Sequence, residues 1–255
     1  MASAPAAPPT PYRFVIETLL FLTYAVFGLS WIAITPLVGE LQAEFNVTSA
    51  QMGMINTLVS AAKVVAPLLT GLLAVRIGLK KTILLGSLCI CFAALAPFTS
   101  DFNLFLASRF VFGVGGAIVV TLLGPMVMQW FPKSEMPLVN AFNNVAVNTG
   151  IAVTLFTTVP LATAVGWRNA LLVYALISVA LMVAWALLGK DHVASPAAAG
   201  ETKASTVRYA DVWKMKETWI IALAFAGPLA LYLAFNTWLP KYYMEAFGMT
   251  KAAAS

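Results

Sequence analysis

The stretch Gly71-Leu72-Leu73-Ala74-Val75-Arg76-Ile77-Gly78-Leu79-Lys80-Lys81 decides how this sequence folds. A long apolar run ends in it and a second apolar run begins just after it. Between the two runs stand Arg76, Lys80 and Lys81, grouped around Gly78. Two membrane helices joined by a short basic turn have this pattern, and the positive charge marks the cytoplasmic side. The stretch therefore predicts that the chain crosses a membrane twice here.

The composition extends this prediction to the whole chain. The 255 residues are 61% hydrophobic and 10% charged, whereas soluble domains carry roughly 25% charged residues. So much apolar surface needs the lipid bilayer as its solvent and partner. The net charge of +5 does not indicate nucleic-acid binding, because the cations stand at helix ends and no basic aromatic surface accompanies them.

Seven apolar segments are long enough to cross about 30 Å of hydrocarbon. We predict helices over 18–39, 49–75, 82–100, 102–128, 137–164, 169–189 and 218–240, with an acidic turn at 39–48 and a further turn at 166–168. The predicted fold is therefore all-α, a polytopic transmembrane bundle. Its predicted parts are a disordered tail (1–13), a six-helix bundle (14–189), a cytoplasmic loop with a short interfacial helix at 207–216 (190–217), the seventh helix (218–240) and an outer tail (241–255).

The distribution of Lys and Arg predicts the orientation. With the N-terminus in the cytoplasm, ten of the fifteen cations fall in inner segments and three in outer ones. Lys63 and Arg109 lie within predicted helices. The positive-inside rule then predicts a plasma (inner) membrane protein with a cytoplasmic N-terminus.

Several motifs are similar to those of one transporter family. The residues Gly71, Arg76, Gly78, Lys80 and Lys81 have the layout of the loop between helices 2 and 3 in the major facilitator superfamily, although Val75 and Leu79 replace an acid and a cation of that pattern. The Trp130-Phe131-Pro132 turn, together with a basic residue in helix 2, resembles the nitrate/nitrite, cyanate and oxalate branches. The resemblance implies a first six-helix bundle, a central loop and helix 7, with secondary transport of a small solute by alternating access, for which protons are a candidate coupling ion. It assigns the five loop residues to gating.

Helical spacing places polar residues on one face of helices 1, 2, 4 and 5. On helix 1 the shared face consists of Glu17, Tyr24, Gly28, Trp31 and Thr35, and on helix 2 it consists of Asn56, Ser60, Lys63, Pro67 and Thr70. On helix 4 it consists of Arg109, Gly113, Gly116 and Gly124, and on helix 5 of Asn140, Asn143, Asn144, Asn148, Thr154 and Thr158. The candidate substrate contacts drawn from them and from helix 7 are Tyr24, Trp31, Asn56, Asn144, Asn148, Tyr232 and Asn236. Glycine rows serve more often as packing surfaces, and asparagines serve about equally for packing and for contact. Glu17 is expected to be solvated or paired with Arg13.

Two cations within the helices are the strongest candidates. Lys63 lies about 18 Å from the basic turn along its helix, and no acid stands in residues 49–75. We predict that it faces a cavity and attracts an anionic solute; the alternatives are an outward-reaching side chain or a carboxylate partner on a further helix. Arg109 precedes Gly113, Gly115 and Gly116, which resembles a helix-4 motif linked to coupling in proton-coupled members of the superfamily. The alternative is that Arg109 reaches to the membrane surface.

Other classes of function find little support in the sequence. No nucleophile–base pair, carboxylate pair within a helix or phosphate loop indicates an enzyme, and neither a metal site nor a cofactor is expected. The competing hypothesis is a membrane scaffold, an assembly subunit or a truncated transporter that transports nothing. Because only helix 7 of a second bundle is present, we expect that this polypeptide alone does not transport.

Overall fold

The computed structural model describes residues 10–192 and 214–249, which fall into two units, Met1–Val193 and Ala194–Ser255. Every regular element in these residues is helical. The first unit contains α1 (Arg13–Ile32), α2 (Val38–Phe45), α3 (Ser49–Ile77), α4 (Leu79–Ile90), α5 (Phe102–Trp130), α6 (Met136–Val165) and α7 (Trp167–Leu188), with 3₁₀ segments at Thr35–Leu37 and Cys91–Phe98. The second unit contains α8 (Lys216–Phe247).

Six segments of the first unit have the length and hydropathy of membrane spans. They are Arg13–Phe45, Ser49–Ile77, Leu79–Phe98, Phe102–Trp130, Met136–Val165 and Trp167–Leu188. The prediction of an all-α polytopic bundle is thereby confirmed, and the protein is an integral membrane protein.

The predicted acidic turn at 39–48 is wrong. Pro36 has no backbone N–H to continue α1, so a 3₁₀ turn follows, and the chain resumes as α2 with Glu40 and Glu44 on it. Asn46, in the left-handed conformation at φ 50°, ends α2. The first span is therefore a broken helix rather than one helix over 18–39.

Local capping signals explain where the other helices begin. The Thr48 hydroxyl accepts from the Gln51 N–H while the Gln51 side chain accepts from the Thr48 N–H, which is a capping box at the start of α3. The Asp101 carboxylate accepts from the N–H groups of Asn103 and Leu104 at the start of α5. Each of these starts satisfies backbone donors that have no partner within the helix.

Two single-residue turns replace longer predicted ones. Gly78 (φ +88°) ends α3 and precedes α4, and Gly166 (φ +84°) separates α6 from α7. Glycine adopts these angles without the steric cost that a Cβ imposes. The third predicted helix, which is α4 in the structure, therefore begins at Leu79 rather than at residue 82. Trp167 and Arg168 are the first residues of α7 rather than part of a turn.

Contacts between helix ends show that successive helices alternate in direction. At one end, Arg13 Nη1 lies 3.0 Å from Glu135 Oε2, and the Tyr12 hydroxyl donates to the Leu188 carbonyl at 2.6 Å. At the other end, Arg168 pairs with Glu44. The first end, which we call the basic end, carries Arg13, Arg76, Lys80, Lys81, Lys133 and Lys190, whereas Arg168 is the cation at the opposite end of residues 10–192.

Small residues bring the central helices of the bundle into backbone contact. A Cβ added to Gly28 would lie 2.3 Å from the Val147 carbonyl oxygen, and one added to Gly150 would lie 1.8 Å from that of Ala25, so α1 and α6 touch through their backbones. Gly113 in turn lies against Val59 of α3. The sequence predicted that the glycine row with Gly113 serves helix packing more often than substrate contact, and the geometry at Gly113 agrees with this prediction.

The second unit is described by itself. Its helix α8 begins two residues before the predicted 218–240 segment and continues to Phe247, so 241–247 is helical rather than part of a tail. Gly248, at φ +62°, follows its last residue. The predicted disordered tail at 1–13 is wrong for residues 10–13, because α1 begins at Arg13 and the Tyr12 hydroxyl donates to the Leu188 carbonyl. Residues 1–9, most of the predicted loop and interfacial helix (193–213) and the end of the chain (250–255) lie outside the described residues.

Candidate functional site

The site begins at Lys63, which α3 carries in its middle. Its ammonium lies 3.3 Å from the centre of the Trp31 ring and 5.1 Å from that of Phe27, both on α1. A cation over an aromatic face gains up to about 2 kcal/mol when water is displaced. The two ion pairs found in residues 10–192 and 214–249 both involve other cations. Lys63 is thus held by aromatic rings, with no carboxylate as its partner in the described chain.

Trp31 contributes a second feature to this position. Its indole Nε1 is buried and donates to no acceptor in the described residues. A buried N–H without an acceptor costs about 1–3 kcal/mol. The site therefore combines a positive charge with an unpaired donor, which is the arrangement that an anion would satisfy.

An aromatic column continues along α1 from Trp31. The ring centres of Phe27 and Trp31 are 5.8 Å apart, and those of Tyr24 and Phe27 are 6.2 Å apart with nearly parallel planes. Gly116 of α5 makes room for this column, because a Cβ there would lie 2.0 Å from the Phe27 ring. The sequence prediction included Tyr24 and Trp31 and missed Phe27, whose spacing of three and four residues from them was the available signal.

Arg109 lies behind this column and is only 1% exposed. Its guanidinium donates to the carbonyls of Ser30 (3.3 Å) and Trp31 (3.2 Å). Because α1 ends at Ile32, these carbonyls belong to the last turn, where oxygens have no partner within the helix. The alternative that Arg109 reaches to the membrane surface is wrong: it caps the break in α1 and so fixes the backbone of Trp31.

The predicted polar stripe on α6 is divided between two faces. Asn143, Thr154 and Thr158 are buried, whereas Asn144 and Asn148 are exposed. Thr154 and Thr158 lie 3.1 Å apart, and the Thr158 hydroxyl lies 3.0 Å from that of Tyr174 on α7. Thr158 thus joins α6 to α7, whereas Asn144 and Asn148, with the half-exposed Asn140, remain on surfaces that a solute can reach.

The exposed candidates are arranged on two helices. Asn144 donates to the Asn140 carbonyl at 3.0 Å, and Asn148 donates to the Asn144 carbonyl at 3.4 Å. On α3, Asn56 is exposed, and Thr70, predicted to share its face, is buried and bonded to the Ala66 carbonyl. The predicted faces therefore agree with the structure only in part.

Tyr232 and Asn236 belong to α8. Their side chains lie outside the described residues, so their assignment as substrate contacts stays a prediction.

The expectation for Glu17 is wrong. Arg13 pairs with Glu135 instead of with Glu17, and Glu17 is buried, with 8% of the residue exposed. It faces the Asn143 amide of α6. A buried acid therefore does lie within the first span, which the sequence interpretation missed because it took the start of α1 to be solvated.

The predicted gating residues surround the turn between α3 and α4. Gly78 forms the turn, Arg76 lies in the last turn of α3, and Gly71 lies inside that helix. The Lys80 N–H donates to Asp191 Oδ1 at 2.8 Å. Asp191, which follows α7, was not predicted, because nothing in its local sequence indicates that it caps α4 more than a hundred residues away.

The sequence model of the Major Facilitator Superfamily matches residues 20–255. The chain is 28% identical to the uncharacterised protein Cj0987c of Campylobacter jejuni, over 95% of this chain and 74% of that one. It is 23% identical to the nitrite extrusion protein of Bacillus subtilis, over 88% of this chain and 55% of that one. It is 24% identical to the probable nitrate transporter NarT of Staphylococcus carnosus, over 93% of this chain and 60% of that one.

A similar fold is found among solved structures. The crystal structure of a bacterial homologue of the human lysosomal transporter Spinster, inward-facing and unoccupied, superimposes with a TM-score of 0.75 at 13% identity. The match covers 97% of this chain and 58% of that one. The chain therefore spans somewhat more than half the length of this structure and of the nitrite and nitrate relatives.

Proposed function

This chain belongs to the Major Facilitator Superfamily, and on that premise we propose that it serves the secondary transport of a small anion by alternating access. The observation that carries the proposal is the Lys63 ammonium, 3.3 Å from the Trp31 ring centre and without a carboxylate partner in the described residues. Charged residues inside a membrane span are costly and usually mark the path of a substrate or ion. An anion is the ligand that offsets this charge.

The neighbouring groups suit the same ligand. The Trp31 indole N–H is buried without an acceptor, and the ammonium of Lys63 has up to three donors for an anion. The guanidinium of Arg109, held on the end of α1, adds positive potential behind the site. In a medium of low dielectric constant such charges act over longer distances than in water.

We assign the remaining candidates to roles around this centre. Tyr24 and Trp31 form the aromatic wall, and the amides of Asn56, Asn144 and Asn148 line the approach. Tyr232 and Asn236 of α8 stay proposed substrate contacts. The turn residues Gly71, Arg76, Gly78, Lys80 and Lys81 would act in gating.

Two relatives support an anionic substrate by their names, a nitrite extrusion protein and a probable nitrate transporter. These names also favour transport over a scaffold function. We further propose that the protein resides in the plasma membrane with its basic end in the cytoplasm, because six cations lie at that end and one at the opposite end of residues 10–192.

The test is uptake of labelled nitrite by cells that express the complete gene product. We expect Lys63→Gln to lower uptake at least about tenfold, because a hydrogen bond to a charged group contributes about 1.5–3 kcal/mol and 1.4 kcal/mol corresponds to tenfold. Lys63→Arg should retain part of the uptake, because it keeps the charge.

Lys133→Gln is the matched control, since it removes one cation from an exposed turn at the basic end. Equal uptake by wild type and Lys63→Gln at matched expression would remove Lys63 from the site. Uptake of a neutral or cationic solute that competing anions leave unchanged would reject an anionic substrate.

A further inference from the structure

We propose that a groove between α4 and α7, on the outer surface of the first unit, binds one anionic phospholipid. The groove has a volume of about 510 Å³. Binding sites for small ligands typically measure about 300–1,000 Å³, so this groove is large enough for part of a lipid molecule. The inference goes beyond the proposed transport function, because it concerns the outer surface of the bundle and requires no transported solute.

The walls of this groove are apolar. Leu84, Leu85 and Leu88 stand on the α4 side, and Val183 and Leu187 stand on the α7 side. Their side chains reach the surface of the unit, since Leu88 and Val183 are each 45% exposed and Leu187 is 74% exposed. Apolar cavities exclude water and take up apolar molecules, and both helices belong to membrane spans. A hydrocarbon chain is therefore the occupant that the walls favour.

Contacts hold the two sides of the groove together at both of its ends. At the basic end the Lys80 N–H donates to Asp191 Oδ1 at 2.8 Å, and farther along the Cys91 thiol lies 3.9 Å from the Met182 sulfur. Lys80 and Cys91 are separated by about 16 Å along a helix. Between these contacts Ala186 contributes only a methyl group to the wall, so space remains between helices that are joined on either side of it.

One charged side chain of the described residues lines this groove, and it stands at one end. Lys81 is exposed and belongs to neither of the two ion pairs found in residues 10–192 and 214–249. Helix side chains tilt toward the N-terminus of their helix, which for α4 lies at the basic end. The Lys81 ammonium thus marks the end of the groove that meets the membrane surface.

The charges around Lys81 make this end attractive to an anion. Arg76, in the last turn of α3, and Lys80 also take part in no ion pair of the described chain. Asp191 is the acid on this side, and its carboxylate accepts from the Lys80 N–H. Three cations against one carboxylate leave a positive potential, and basic sites between membrane helices on the cytoplasmic side bind anionic lipid head groups.

The charged end and the apolar walls together select an amphiphile. A phospholipid places its phosphate on the Lys81 ammonium, which has three donors, and its acyl chain runs along the leucines of α4 away from the membrane surface. A free anion would leave the apolar walls uncovered, and a wholly apolar molecule would leave the ammonium without a partner. Because the acyl chain touches both walls, the bound lipid joins α4 to α7 and stabilises the folded protein.

The first test is a lipid titration of the purified complete gene product, read by native mass spectrometry. We expect the first phosphatidylglycerol, whose head group is anionic, to bind at least about fivefold more tightly than zwitterionic phosphatidylcholine with the same acyl chains. Fivefold corresponds to about 1 kcal/mol, the contribution of one lysine near an anionic membrane surface.

Lys81→Gln should abolish most of this preference. Lys133→Gln is the matched control and should keep it, because Lys133 is exposed at the same end of the bundle and does not line the groove. Equal affinity of the wild type for the two lipids, or an unchanged preference in Lys81→Gln, would overturn the proposal.

The second test addresses the apolar walls through thermal unfolding with and without added phosphatidylglycerol. The lipid should raise the melting temperature of the wild type and of Ala180→Phe, which adds a large side chain at an exposed position of α7 outside the groove. Ala186→Phe fills the groove, so it should lose this stabilisation. Equal stabilisation of Ala186→Phe and wild type would reject the groove as the lipid site.

The same variants distinguish a lipid from another occupant. A wild-type dimer that dissociates in Ala186→Phe, with no effect of lipid on the melting temperature of either protein, would reject the lipid in favour of a second copy of the chain. Neither test involves nitrite uptake, so the lipid site and the proposed transport function can fail independently of each other.

Discussion

Replacing Gly150 with alanine perturbs the point at which α1 and α6 touch. The new Cβ would lie 1.8 Å from the carbonyl oxygen and 2.7 Å from the carbonyl carbon of Ala25. Ordinary contact begins at 3.4 Å, so the two helices must separate locally by about 1.6 Å. No side-chain rotation relieves the contact, because the atoms of Ala25 that are too close belong to the backbone.

The expected loss follows from two opposing terms. Overpacking typically costs about 1–3 kcal/mol, and a contact with backbone belongs in the upper part of that range. Alanine improves helix propensity over glycine by about 1 kcal/mol. The net loss of stability is then about 1–2 kcal/mol, which lowers the melting temperature by about 2–8 °C at about 2–4 °C per kcal/mol.

The assay is thermal unfolding of the purified protein in detergent. Gly124→Ala is the matched control, because it makes the same change inside α5, where a Cβ meets nothing within 4 Å. The control should melt at or above the wild-type temperature. If Gly150→Ala also melts at or above that temperature, the close approach of α1 and α6 is not a feature of the folded protein.

Two further predictions concern the ends of the bundle. Asp191→Ala should lower the melting temperature by an amount equivalent to about 0.5–2 kcal/mol, because it removes the acceptor for the first turn of α4; a melting temperature equal to that of Glu40→Ala would contradict this role. Single cysteines placed at Ala43 and Ser134 in a cysteine-free background lie at opposite ends of the bundle and are both exposed. An impermeant thiol reagent applied to intact cells should label position 43 faster, and faster labelling at 134 would reverse the proposed orientation.

The sequence by itself determined the number and kind of spans in the first unit. Hydropathy and length are properties of a continuous segment, and the bilayer imposes both on every crossing helix. The turn at Gly78 was equally readable, because glycine and nearby charges interrupt the apolar runs. Lys63 was recognised as part of a candidate site for the same reason, since a cation in an apolar helix stands out without knowledge of its neighbours.

Only the tertiary structure decided what each polar residue touches. Periodicity shows which side chains share a face of one helix, but a membrane helix is apolar nearly all round, so its pattern does not tell which face meets which neighbour. Arg109 is a cap for α1, and Glu17 is buried against Asn143, because of how α5 and α6 lie against α1. The contact of Lys63 with Trp31 joins residues that are far apart in the chain. Such contacts depend on where small residues let two helix backbones approach each other, and the sequence of a single helix does not encode that approach.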